Sequence, residues 1–127
     1  MDTNVLLYLL SSDPKKADKA EEIVSAGPWI SVQVLNELAN VMRRKLKMSW
    51  TEIKEFLLSI RSICRTEILT PETHDTGLDM AQRYGLSVYD AMITAAALNS
   101  GCEILYSEDM QNGLLIDRQL RIHNPLV

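Results

Sequence analysis

The chain predicts an α/β fold, a parallel sheet of short strands covered on both faces by helices. Three observations predict it. Short segments rich in β-formers near 29–32, 67–70, 103–107 and 120–123 alternate with longer amphipathic ones, the pattern of successive β-α units. Helix-start signals recur directly after those short segments. At 127 residues, 46% apolar and 24% charged, the chain has the size and composition of a single domain with one sizeable core.

Taken in order, Asp2, Thr3 and Asn4 supply capping side chains ahead of the apolar run Val5 to Leu10, which favours a helix over a buried strand there. Asp13 followed by Pro14 starts a second helix with Ala17, Ala20, Ile23 and Val24 inward, and Gly27-Pro28 ends it. Trp29 to Val32 is a strand candidate. The helix after it buries Val34, Leu35, Leu38, Val41, Met42 and Leu46, with Glu37 beside that apolar face one turn inside the start. Ser49 and Glu52 occupy the two positions of a capping box, and the following helix turns Ile53, Phe56, Leu57, Ile60 and Ile63 inward.

Glu67 to Thr70 is a second strand candidate. Thr70 and Pro71 open a helix with Leu78, Ala81 and Tyr84 inward and Gly85 as its stop. An Ala-rich helix opening at Asp90 stops at Ser100-Gly101, and Ile104 to Tyr106 is its strand. Leu115 to Asp117 precede a last strand near 120–123. A further strand is implied ahead of Asp2, where only Met1 stands, so the sheet is expected to have four to five strands with the first truncated. No repeat or linker divides the chain.

Composition narrows function. No run of about 18 apolar residues is present, so no membrane span is expected, and the start lacks the pattern of a signal peptide. Cys64 and Cys102 cannot form a disulfide framework or zinc site alone. Both read as buried free thiols of a cytoplasmic protein. The net charge of −4 does not advertise nucleic-acid binding, so a polyanionic substrate needs a local basic patch or bound cations.

Position singles out four of the seventeen acids. Asp2, Glu37, Asp90 and Asp109 each lie at a strand-to-helix junction or within a turn of a helix start. Crossover geometry in parallel sheets gathers such starts at one edge. Taken singly, a carboxylate there is a helix cap or a dipole partner. Four together repel one another unless a cation neutralises them, and Mg²⁺ or Mn²⁺ suits an all-oxygen site.

With those neighbours the chain resembles a PIN-domain ribonuclease, specifically a VapC-type toxin of a type II toxin–antitoxin pair. The matching residues are Asp2-Thr3-Asn4-Val5-Leu6, Asn36-Glu37, Tyr89-Asp90-Ala91-Met92-Ile93 and Ser107-Glu108-Asp109-Met110. Leu120 to Pro125 resembles the last strand of such proteins. The resemblance implies a three-layer α/β/α sandwich, with residues 1–127 as one PIN-like domain. It also implies cleavage of RNA phosphodiester bonds at an acidic Mg²⁺ or Mn²⁺ site. By that resemblance Asp2, Asp90 and Asp109 are the metal-binding aspartates, and Glu37 holds a coordinated water or a second ion. Ser107 and Asn4 orient the carboxylates. Gln111 stands where many relatives carry a further acid, which favours one metal over two.

His74 and His123 fall outside the acidic junctions and read as surface or structural residues. Arg43, Arg44, Lys45 and Lys47 are favourable charge at a helix C-terminus. Their alternative reading is contact with RNA phosphates. Val5, Leu6, Leu9, Phe56 and Leu57 are core candidates. The resemblance adds an antitoxin segment docking in a groove among such helices, and homodimers as the common assembly. A catalytically impaired PIN-like module that binds antitoxin or RNA without cleavage is the alternative. A phosphoacceptor receiver domain shares the layering and acidic pocket, but it needs a Lys near its last strand and none occurs after Lys54.

Overall fold

The structure is a computed structural model that describes residues 1–127. The apolar run begins as helix α1 (Thr3–Leu7) and tightens into a 3₁₀ turn at Tyr8–Leu10. Asp2 is its N-cap, the side chain accepting from the Thr3 N–H at 2.7 Å. Helix α2 (Pro14–Ser25) starts as expected, with Asp13 capping Lys15 N–H and Pro14 in the first turn. Strand β1 (Trp29–Ser31) feeds α3 (Val32–Arg44), whose Val34, Leu38 and Met42 are fully buried. Helix α4 (Trp50–Ile63) carries the complete capping box, then comes β2 (Arg65–Glu67). Helix α5 (Pro71–Tyr84) leads into α6 (Val88–Asn99), and β3 (Ile104–Tyr106), β4 (Leu115–Ile116) and β5 (Leu120–His123) complete the fold.

Helix α6 is buried almost all round, from Ala91 through Ala97. Small side chains let it lie against both α5 and β1. Gly77 of α5 marks the closest approach, since a Cβ there would stand 2.6 Å from the Met92 sulfur. The core runs from Val5 and Leu6 through Ile30, Val34 and Leu38 to Leu105, Ile116, Leu120 and Ile122. Leu9, Phe56 and Leu57 pack against it from partly buried positions. Leu46, Ile63 and Leu78, expected inward, are largely exposed. No helix is long and apolar enough to cross a membrane.

The sheet departs from the expected single parallel array. Hydrogen bonding gives a two-stranded parallel sheet, β1-β2, and a three-stranded sheet in the order β3-β5-β4, where β4 runs antiparallel to β5. Between them lie Met1 and Asp2. The Met1 amino group donates to Trp29 O of β1 at 3.0 Å, and Asp2 N–H donates to Tyr106 O of β3 at 2.9 Å. Two residues thus hold the position of a central strand and join the sheets by one hydrogen bond on each side. The strand expected at 67–70 instead ends at Glu67, because its partner β1 ends at Ser31, the residue paired with Glu67. Val32, expected in β1, already belongs to α3. Ile68 and Leu69 are left exposed beyond the paired region.

Candidate active site

Asp2 is the most enclosed of the four acids, 3% exposed, and both its oxygens are occupied. Oδ1 accepts from Thr3 N–H and Oδ2 from the Ser107 hydroxyl at 2.8 Å. Ser107 is itself fixed, since its N–H donates to His123 O and its Oγ accepts from Met110 N–H. Burial raises the Asp2 pKa above the usual carboxylate value, the two hydrogen bonds pull it back, and Asp90 adds to the rise.

The other three acids are tied to residues beside their partners. Asn4 donates its side-chain amide to Asp109 Oδ2. Thr3 Oγ1 donates to Glu37 Oε2 at 3.2 Å. Gln33, four residues before Glu37 on α3, donates to Glu37 Oε1 at 2.9 Å and to the Tyr89 carbonyl at 3.1 Å. Asp90 lies in the first turn of α6, not at its start as expected: Ser87 is the N-cap, accepting from Asp90 N–H at 3.2 Å. Burial is the main force raising the Asp90 pKa; Ser87 lowers it, and the charges of Asp109 and Glu37 raise it further. The structure therefore brings Asp2, Glu37, Asp90 and Asp109 to one edge, with Asp90 in the field of the other three; Thr3 links Asp2 to Glu37, while Asn4, Gln33 and Ser107 each hold one of the carboxylates.

None of the four is ion-paired; the salt bridges of the protein lie elsewhere. Unpaired carboxylates gathered around Asp90, whose pKa the charges of Asp109 and Glu37 raise, form an all-oxygen donor set suited to a hard divalent cation. The fit is in chemistry and not in preassembled geometry, since no three acids stand close enough together to form a ready ligand group. Asp109 is engaged by the Asn4 amide, and Glu37 by the Gln33 amide and the Thr3 hydroxyl.

Thr3 and Gln33 were missed from the sequence as functional positions. Gln33 had a signal, the i, i+4 relation to Glu37 on one helix face. Tyr8 is buried, yet its hydroxyl has no hydrogen-bond partner. Burial first, then the nearby Glu108, Asp109 and Asp2, push its pKa well above that of an ordinary phenol. Neither histidine side chain bonds to any of the four acids: His74 is exposed, and His123 packs edge-on against Tyr106 at 5.8 Å. Cys64 is buried and Cys102 half-buried, both as free thiols. In the basic cluster, Arg43 donates to Met48 O and lies over the Trp50 ring at 4.6 Å, which ties down the turn between α3 and α4.

Among solved structures, the chain is similar to VapC20 of Mycobacterium tuberculosis, described as a sarcin–ricin loop cleaving toxin. That match has 20% identity, a TM-score of 0.68, and covers 85% of this chain and 87% of the other. A toxin–antitoxin complex from Klebsiella pneumoniae matches at 20% identity with a TM-score of 0.66, covering 85% of each chain. These likenesses establish the shared fold. No curated protein matches the sequence significantly. The PIN domain profile matches residues 1–111, and with that match the chain belongs to the PIN domain family.

Proposed function

We propose that the protein is a metal-dependent endoribonuclease and the toxin of a toxin–antitoxin pair. The observation that carries this reading is the meeting of Asp2, Glu37, Asp90 and Asp109 at one edge with no cationic partner. In this reading Asp2, Asp90 and Asp109 hold Mg²⁺ or Mn²⁺, and Glu37 orients water or a second ion. The cation supplies Lewis-acid charge to the phosphate and makes water a better nucleophile near neutral pH. Thr3 N–H and Ser107 fix Asp2, so one ligand is set before substrate arrives. Asn4 and Gln33 hold the carboxylates of Asp109 and Glu37 through their side-chain amides. Fold likeness to a structure described as a toxin–antitoxin complex supports a protein antitoxin as partner. A basic side chain from it would complement the acidic edge, and a homodimer is the assembly proposed.

The test is cleavage of RNA with Mg²⁺ or Mn²⁺ supplied or chelated. Cleavage should require the ion, and Asp90→Asn should lose at least about a hundredfold in rate. Cleavage in chelator, or by the variant at the wild-type rate, would overturn the reading. A second reading, a PIN-like module that binds antitoxin or RNA without cleaving, is favoured by the absence of a ready ligand group among the acids. Calorimetry with millimolar Mg²⁺ or Mn²⁺ separates the two, because the enzyme must bind the ion.

A further inference from the structure

Beside the acidic edge lies an open cleft of about 440 Å³ between the starts of α3, α5 and α6. Its floor is Met92, 6% exposed, with its thioether against Gly77. Its sides include Leu69, Val88 and Tyr89, and Tyr89 is 68% exposed although it directly precedes Asp90. Gln33 is a wall shared with the acidic site, since its amide donates both to Glu37 and to the Tyr89 carbonyl. No Asp, Glu, Lys or Arg lines the cleft; its polar groups are the Gln33, Thr70, His74 and Tyr89 side chains.

That chemistry suits a flat neutral group with a polar rim better than a phosphate, which the neighbouring carboxylates repel. The volume lies in the range of small-ligand sites and admits a nucleobase with part of its ribose. Single-stranded RNA is recognised mainly by splayed bases stacked on aromatic rings and hydrogen-bonded at their edges. An exposed ring next to a proposed metal ligand is placed to do this for the nucleotide beside the bond that is cut. We propose that this cleft receives one unstacked base of the RNA, with Tyr89 as its stacking platform and Gln33 and His74 at its edge. Tyr89 is then a substrate-positioning residue and has no part in the chemical step. The proposal rests on the ribonuclease reading, and its test separates the two.

Short fluorescein-labelled oligo(A), oligo(C) and oligo(U) RNAs are titrated against Asp90→Asn protein, with and without Tyr89→Ala or Tyr89→Phe. Tyr89→Ala should weaken binding about tenfold, the loss of one base–aromatic stack. Tyr89→Phe, which keeps the ring, should retain the parental affinity. His74→Ala should change the ranking of the three RNAs. In the cleaving protein, Tyr89→Ala should raise KM more than it lowers kcat. Equal affinity for the Tyr89→Ala variant and its parent would overturn the proposal, as would failure of the parent to bind any of the RNAs. Tyr89-dependent binding without wild-type cleavage would leave the cleft standing and remove the nuclease reading. Cleavage indifferent to Tyr89 would do the reverse.

Discussion

Asp90 carries an electrostatic cost that a cation would remove. Its pKa is raised, first by burial and then by Asp109 and Glu37. The folded chain therefore holds the Asp90 proton more tightly than the unfolded chain, whose value lies near 3.8. For an acid shifted this way, stability falls as pH rises from the unfolded value through the native one, and the ionised form is a net cost at neutral pH. Asp2 is shifted in the same direction. Without divalent ions, Asp90→Asn should melt above wild type at neutral pH, and the gap should close as the solution is acidified below the native pKa. Thermal melts across that range check it; a wild type that melts higher at neutral pH would contradict the argument. Asp2, Glu37 and Asp90 were legible because each sits at or near a helix start, where topology gathers side chains; Asp109, expected at such a start as well, lies instead in the loop after β3, with no helix following it. Most of their tethers were not, because Thr3 to Glu37 and Gln33 to Tyr89 are contacts across 34 and 56 positions.

At the scale of elements, the helices were readable from their caps. Asp13-Pro14, Ser49 with Glu52, and Thr70-Pro71 all act where expected. The β4-β5 hairpin was not readable. The central residues of its turn are Asp117 and Arg118, with φ of 48° and 58°, closed by Gln119 N–H on Ile116 O at 2.9 Å. Turns with two positive φ values normally announce themselves by Asn-Gly or Gly. Asp117 is instead held from outside, by the Tyr84 hydroxyl and by Arg83 at 2.9 Å. Arg118 has no such support within the turn, and an L-residue with a large side chain is costly in this conformation. Arg118→Gly should therefore raise stability by roughly 0.5–1 kcal/mol, net of the entropy glycine adds to the unfolded chain. A urea midpoint shifted upward with unchanged slope would confirm it; a downward shift would refute it.

The whole molecule is two small sheets joined along a seam. Met1 and Asp2 supply the backbone bonds across it, and α6 packs behind β1. Alternation of apolar segments could announce strands but not whether their hydrogen bonds form one sheet, because continuity here hangs on two residues with no strand pattern. The two sides also differ in cover: β3 and β5 contain the fully buried Leu105, Leu120 and Ile122, whereas β2 is mostly exposed. Native-state hydrogen exchange should show β1 and β2 amides opening at lower free energy than those of β3 and β5. Uniform protection across both sheets would show that the seam transmits cooperativity fully.

The hydrogen bond from Ser107 to Asp2 and the one from Asn4 to Asp109 each span 105 positions. On a ribosome, the first proposed ligand leaves the exit tunnel long before the groups that fix it have been made. A nascent chain that has not reached β3 has three of the four acids but neither Ser107 nor Asp109. The acidic edge is thus complete only once β3 and the residues just after it have been made, and any activity seated there waits for them.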